Sequence, residues 1–264
     1  MIHSAAQLKA KIHNMSGGNS AKAQTLIRNY MMERFLERCA SSKYKNHFIL
    51  KGGMFVASYI GIDARATMDI DTTVQALSLT LETTKKIIQD IIDIPLDDGI
   101  TFTISNAKEI MEEQDYSGLR FMLEGRLNNI KQPIKIDIST GDVITPAAIE
   151  YAYPLMFEDR TILILAYNLE TLLAEKMETI LVRAEANTRM RDFYDIHILL
   201  TEKAGKIDLE ILKLAFSATC KKRNSSSIFS QASEILTTVK NSDTLLKQWN
   251  NYRESSFYIV PASR

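Results

Sequence analysis

Two carboxylates stand two residues apart in Asp69-Ile70-Asp71, inside a stretch, Asp69 to Val74, whose residue types suit a strand. A strand alternates its side chains, so Asp69 and Asp71 share one face and Ile70 takes the other. Two acids held that close repel unless a cation sits between them. Magnesium, which prefers oxygen ligands and phosphate partners, is the natural occupant. The tripeptide also occurs in surface turns, so its surroundings decide.

Upstream lies Leu50-Lys51-Gly52-Gly53-Met54. Backbone without side chains can approach a triphosphate, and a helix that starts there aims its amides at anionic oxygens. An ordinary turn explains the paired glycines as well when they are taken alone. Arg65 and Thr67 add a cation and a hydroxyl just before the carboxylates. A third acid comes from Ile134-Lys135-Ile136-Asp137-Ile138-Ser139, where the isoleucines share a buried face and Lys135, Asp137 and Ser139 share the other. Beside Asp69 and Asp71, Asp137 completes a three-carboxylate set of the kind that positions two metals for in-line phosphoryl or nucleotidyl transfer. Asp69 and Asp71 then hold the metal that clamps a triphosphate, and Asp137 helps hold the metal that lowers the pKa of the acceptor hydroxyl.

Further along, an apolar stripe through positions 169, 172, 173, 176, 177, 180 and 181 is interrupted by Lys176. An ammonium there either snorkels past the core or points into an interdomain cleft and meets triphosphate oxygens. In Arg189-Met190-Arg191-Asp192-Phe193-Tyr194-Asp195-Ile196, the two aspartates lie three apart on one helix. Asp192 can meet Lys176 or a nucleotide, or cap the helix and pair with Arg189 or Arg191. Phe193, Ile196, His197 and Leu200 read as that helix's core face, with His197 a core histidine.

The elements that must carry these residues follow from periodicity. Ser20 to Ala40 is an amphipathic helix through Ala23, Leu26, Ile27, Tyr30, Met31 and Phe35; Phe48-Ile49-Leu50 is a short strand, and Met54 to Tyr59 a brief helix. Leu79 to Ile92 reads as helix, and Ile100 to Ala107, Leu119 to Leu127, Ile134 to Ser139 and Ile162 to Leu165 as strands. Helices then dominate: Leu169 to Ala186, Thr188 to Thr201, Leu209 to Cys220, Ser226 to Lys240 and Thr244 to Tyr252. Between them, Lys221 to Ser227 reads as a solvated loop with three basic residues. This predicts an α+β fold, with residues 1–165 as a catalytic domain of mixed sheet and flanking helices and 166–264 as a helical C-terminal domain that completes the cleft.

Composition sets the outer bounds. The chain has 264 residues, 45% hydrophobic and 24% charged, enough for one large or two smaller cores. Thirty-two basic residues balance thirty-two acidic ones, which excludes a global positive field; a nucleic acid would have to be gripped locally. The two cysteines, Cys39 and Cys220, stand in no ligand spacing and suit a reducing compartment. The polar N-terminus and the absence of a long apolar run predict a cytoplasmic protein with no membrane partner.

Taken in order, Leu50-Lys51-Gly52-Gly53, Arg65-Ala66-Thr67-Met68-Asp69-Ile70-Asp71, Ile136-Asp137-Ile138, Glu175-Lys176 and Arg189-Met190-Arg191-Asp192-Phe193-Tyr194-Asp195 resemble the blocks of the AbiEii/AbiGii toxin family. The resemblance implies a nucleotidyltransferase of the DNA polymerase β type. It also implies a toxin of a type IV toxin–antitoxin or abortive-infection system with a cognate antitoxin. The expected activity is transfer of a nucleoside monophosphate from an NTP, with magnesium, to the 3′ end of tRNA. By motif it assigns function to Thr67, Asp69, Lys176 and Asp192, while Lys51, Gly52, Gly53 and Arg65 join the nucleotide site. Met54 stands where relatives carry a small or hydroxyl residue, which leaves that phosphate contact to backbone amides. Fold and motif leave two other classes open: a transferase acting on a protein or small molecule, and an idle nucleotide-binding partner protein. The retention of all three carboxylates favours catalysis.

Overall fold

The computed structural model describes residues 1–77, 79–112 and 116–259. They form two compact units: Met1–Tyr59, Arg65–Gly141 and Ile149–Ala166 make the first, and Ile60–Ala64, Asp142–Ala148 and Tyr167–Arg264 the second.

The first unit is built on a seven-stranded mixed sheet. Its strands are β1 (Phe48–Lys51), β2 (Asp69–Val74), β3 (Thr101–Glu112), β4 (Tyr116–Leu127), β5 (Ile130–Thr140), β6 (Ile149–Pro154) and β7 (Thr161–Ala166), in the spatial order β3-β4-β5-β2-β1-β7-β6. β2 runs parallel to β5, and β1 parallel to β7; the other neighbours are antiparallel. The alternation in β5 has its expected effect, with Ile134, Ile136 and Ile138 buried on one face. Phe102, Phe121 and Leu123 are buried on the same face, and Phe35 meets Phe102 edge-on. The sequence pattern does not mark β6 or the outer half of β3, because Glu150, Lys108 and Glu109 interrupt apolar alternation at strands on the sheet edges.

Helices α1 (Ala5–Ser16), α2 (Ser20–Ala40), α3 (Gly52–Ile60) and α4 (Leu81–Ile92) accompany the sheet. α1 lies within the polar N-terminal segment; its Ser4 N-cap accepts from the Gln7 amide, and Ala5, Leu8 and Ile12 form a narrow buried stripe. α4 starts two residues later than the periodicity predicts, because Thr80 and Thr83 close a capping box there.

α2 departs furthest from expectation. Its apolar stripe is buried, but so are Asn29, Glu33, Arg34, Glu37 and Arg38, because α1, α4, β5 and β7 all pack around it. Several of these charges find distant partners. Arg34 pairs with Glu37 at 2.6 Å and Glu158 at 3.4 Å, Arg160 holds Glu37 at 2.6 Å, and Arg38 grips Asp98 with two bonds of 2.7 and 2.9 Å. Burial pushes the Glu33 carboxyl up to about 8, against the Met156 amide and Asn29 that favour its ionised form.

The second unit is helical: α5 (Leu169–Arg183), α6 (Met190–Glu202), α7 (Leu209–Lys222), α8 (Ile228–Asn241) and α9 (Asp243–Ser255). Leu181, Cys220 and Ile228 form a core cluster on which Phe216, Ala232 and Ile235 pack. Two expectations need correction here. Lys221 and Lys222 belong to the last turn of α7, and Arg223 is not a loose surface cation: it donates to Glu178 at 2.8 Å and Thr179 at 3.3 Å. α6 is rotated from its predicted facing, with His197 and Leu200 exposed and Met190, Asp192, Tyr194, Asp195 and Leu199 buried. A neighbouring ammonium group makes burial of the two aspartates feasible. Cys39 and Cys220 are both free and buried, and no helix among the described residues is long and apolar enough to cross a membrane.

Candidate active site

Sheet register gathers the acids. β2 and β5 pair in parallel with Asp69 opposite Lys135 and Asp71 opposite Asp137; β1 places Lys51 opposite Asp71, and β4 places Arg120 opposite Asp137. Residues directly opposite one another share a face. One row across four strands therefore reads Lys51, Asp71, Asp137, Arg120, with Asp69 and Lys135 beside it. Asp69, Asp71 and Asp137 each offer a carboxylate oxygen, and these atoms lie within 4.8 Å of one another. An all-oxygen donor set at that spacing fits a hard divalent cation.

Arg120 and Lys135 hold Asp137 and Asp69. Arg120 donates from Nε and Nη2 to the two oxygens of Asp137, at 2.7 and 2.8 Å. Lys135 Nζ sits 2.5 Å from Asp69 Oδ2 and 3.5 Å from Asp137 Oδ2. The hydrogen bond from Arg120 to Asp137 raises the arginine's own affinity for its proton. Asp71 fares differently: burial, then the charge of Asp69, pushes its carboxyl up to about 6, and Lys51 and Lys135 only partly oppose this. On α2, Arg28 is lowered by burial and raised in turn by the charge of Asp69, which places it within electrostatic reach of the cluster.

The paired glycines make room for this site. Gly52 opens α3 with φ +67°, and a Cβ there would lie 2.0 Å from Asp71 Oδ2. A Cβ on Gly53 would lie 2.7 Å from Thr67 Oγ1 and 3.2 Å from Arg65 Nη2. Close approach by Asp71 and Thr67 is thus one physical reason for glycine at both positions. Thr67 Oγ1 donates to the Asp69 carbonyl at 3.3 Å, and Arg65 Nη1 donates to the carbonyl of Ala66. Lys51, Gly52, Gly53, Arg65 and Thr67 are all drawn in around Asp69 and Asp71.

Lys176 and Asp192 lie in the second unit and meet each other there. Lys176 Nζ donates to Asp192 Oδ1 at 2.6 Å and pairs with Asp195 Oδ2 at 2.8 Å, while Arg189 Nε donates to Asp192 Oδ2 at 2.9 Å. All three members of the lysine–aspartate cluster are buried. Burial alone would raise the Asp192 carboxyl, but Lys176 and Arg189 outweigh it and hold it below the usual carboxylate range. Burial likewise opposes the charge on Lys176, and Asp195 and Asp192 reverse the effect.

Alternation alone places Lys135 on the correct face but gives it no task, and the motif blocks pass over Arg120 and Arg28. A signal for Arg120 does exist: Leu119, Phe121 and Leu123 alternate as a buried face, which turns Arg120 to the side that Asp137 occupies.

The sheet thus sets three carboxylates beside a glycine-opened helix, and the sequence family that this chain matches makes it a nucleotidyltransferase. The sequence family described as "Nucleotidyl transferase AbiEii toxin, Type IV TA system" matches residues 34–263, and the chain belongs to it. Membership implies a nucleoside triphosphate substrate, a divalent metal and an antitoxin partner. Among solved structures, the chain is similar to JHP933 from Helicobacter pylori, at 18% identity over 88% of this chain and 97% of that one, with a TM-score of 0.46. A second H. pylori structure, described as that of a candidate nucleotidyltransferase, is similar at 17% identity over 87% and 97%, with a TM-score of 0.47. No curated protein matches the chain significantly.

Proposed function

We propose that this chain is a magnesium-dependent toxin of the cytoplasm that transfers a nucleoside monophosphate from an NTP to an RNA end, the 3′ end of tRNA, and so blocks translation. In this reaction the acceptor hydroxyl gives up its proton to solvent, its oxygen bonds to the α-phosphorus, the bond from that phosphorus to the bridging oxygen breaks, and pyrophosphate leaves. The observation that carries the reading is the convergence of Asp69, Asp71 and Asp137 from two parallel strands.

Asp69 and Asp71 would hold the ion that the triphosphate shares, and Asp137 would complete the set for a second ion. When bound, magnesium supplies positive charge to the phosphoryl oxygens and makes the acceptor hydroxyl more acidic. The chain's own side chains do the rest. Arg120 and Lys135 orient Asp137 and Asp69. Lys51, the Gly52–Gly53 helix start, Arg65 and Thr67 form the triphosphate-binding side, where backbone amides at the start of α3 offer donors to anionic oxygens. Lys176 and Asp192 join the machinery as the matched positions of the Glu-Lys and Arg-x-x-Asp blocks, with Asp192 and Asp195 holding Lys176 charged until it meets a phosphate.

The test is incubation with each α-labelled NTP, magnesium and total RNA, followed by gel separation. Label in RNA of tRNA size, abolished by chelation, is the expected result. Label that enters protein instead would replace the acceptor, and no transfer with any NTP would return the chain to a nucleotide-binding role.

A further inference from the structure

The face of β5, β4 and β3 that carries Asp137 continues outward, away from the carboxylates, as a strip of cations. Arg120 lies opposite Asp137 on one side and opposite Lys108 on the other, so the charged row extends to the edge strand β3. Six residues along β5 from Asp137, Lys131 lies opposite Arg126 and faces the same way. Beyond the three acids and the two cations that pair with them, Arg120 and Lys135, the described side chains of this face include three cations, Lys108, Arg126 and Lys131, and one carboxylate, Glu124.

Three features distinguish this strip. Its charge is local: the whole chain has equal numbers of basic and acidic residues, so the excess here is balanced elsewhere. Its exposure is graded, from 11% for the Asp137 side chain to 32% for Arg120 and 50% for Arg126, with Lys108 and Lys131 exposed as well. It is also continuous with the candidate active site. At strand dimensions the strip runs about 20 Å along β5 and about 10 Å across to β3, long enough for several linked phosphates. No aromatic side chain stands on its described part to stack a base, and Ile110, Met122 and Pro133 are its larger apolar members. A surface of this kind grips backbone phosphates without reading sequence.

We infer that the acceptor RNA lies along this strip, its phosphates held by Lys108, Arg126 and Lys131, so that its end reaches the carboxylates past Arg120 and Lys135. The inference rests on the proposal that the acceptor is RNA. The ion pair between Arg126 and Glu124, at 2.5 Å, would be shared with a phosphate on binding.

The test uses the full chain and a K108Q/R126Q/K131Q variant, with labelled total tRNA as probe. Binding is measured by fluorescence anisotropy across a salt series, and NTP binding by thermal shift with magnesium. The expected variant binds tRNA about tenfold or more weakly at about 0.15 M salt, and its affinity falls less steeply with salt, by about one unit of slope for each phosphate the variant no longer neutralises. Its magnesium-dependent stabilisation by NTP should match the parent's. A variant that binds tRNA with the parent's affinity and salt slope overturns the strip while leaving an RNA acceptor in place. A parent that neither binds nor labels RNA overturns both.

Discussion

The two clusters of buried charge in this protein, one in each unit, are balanced in opposite ways. In the second unit, Lys176 is shared between Asp192 and Asp195, Arg189 adds a second partner to Asp192, and the resulting network holds Asp192 firmly ionised. In the first unit, Arg120 and Lys135 serve Asp137 and Asp69, while Asp71 is driven up to about 6 by burial and by Asp69. A network whose charges answer one another favours a single arrangement and suffers when a member is removed. The first-unit cluster crowds three carboxylates within 4.8 Å of one another and leaves Asp71 raised despite Lys51 and Lys135, so a divalent cation would relieve it. Similar side chains thus form a closed network in one unit and a crowded set of carboxylates in the other.

The largest expected effect comes from removing a carboxylate from the three-acid cluster. Asp69→Ala should reduce transfer by at least about 10³-fold, read as label incorporation and as growth arrest on expression. Its melting temperature should hold or rise slightly, because repulsion on Asp71 is relieved. Should the variant remain as toxic as the parent, the catalytic account fails.

Lys176→Met tests the other side of the contrast. It leaves Asp192 and Asp195 buried without their shared partner, so a urea titration should show a destabilisation of about 3–5 kcal/mol. Under conditions where the variant is folded, KM for NTP should also rise. An unchanged KM with the full destabilisation would make the lysine purely structural; stability equal to the parent's would refute the closed network.

The smallest effect, and the sharpest in sign, is on pH dependence. The folded value of Asp71, about 6, lies above its ordinary value of 3.8. Its contribution is therefore intact below about 3.8 and is lost as pH rises through about 6, by no more than about 1.4 kcal/mol per pH unit. Asp192 is lowered, so its contribution is present above 3.8 and fades as pH falls below that. Urea titrations of Asp71→Asn and Asp192→Asn against the parent should give difference curves of opposite slope, in different pH windows. Glu33, raised to about 8, also weakens the fold as pH rises, but it is common to all three proteins and cancels in the differences. Parallel curves would remove the electrostatic distinction between the units.

Much of the candidate site can be read along the chain because its residues lie on strands whose period sorts them by face. Asp69, Asp71 and Asp137 need only alternation, and the order of the motif blocks supplies the family. What alternation cannot supply is pairing. That β2 lies against β5, so that Lys135 meets Asp69, depends on register between segments separated by dozens of residues, and that Arg120 clasps Asp137 depends on the register of the β4–β5 hairpin. The same limit explains α2 and α6. Glu37 and Arg38 look like solvent-facing residues until Arg160 and Asp98 arrive from elsewhere. Asp195 looks like surface until Lys176 turns the helix, leaving His197 exposed in place of the expected core position. The N-terminal helix escapes notice for a different reason, since three small or aliphatic side chains among polar neighbours make a weak periodic signal.

The near-collision at Gly52 turns one backbone position into a mechanical stop. The start of α3 and the Asp71 carboxylate occupy almost the same volume, with 2.0 Å between an added methyl carbon and the carboxylate oxygen. A single methyl group at position 52 would therefore push that carboxylate aside, and strain the backbone at φ +67°, while every ionisable group stayed in the sequence.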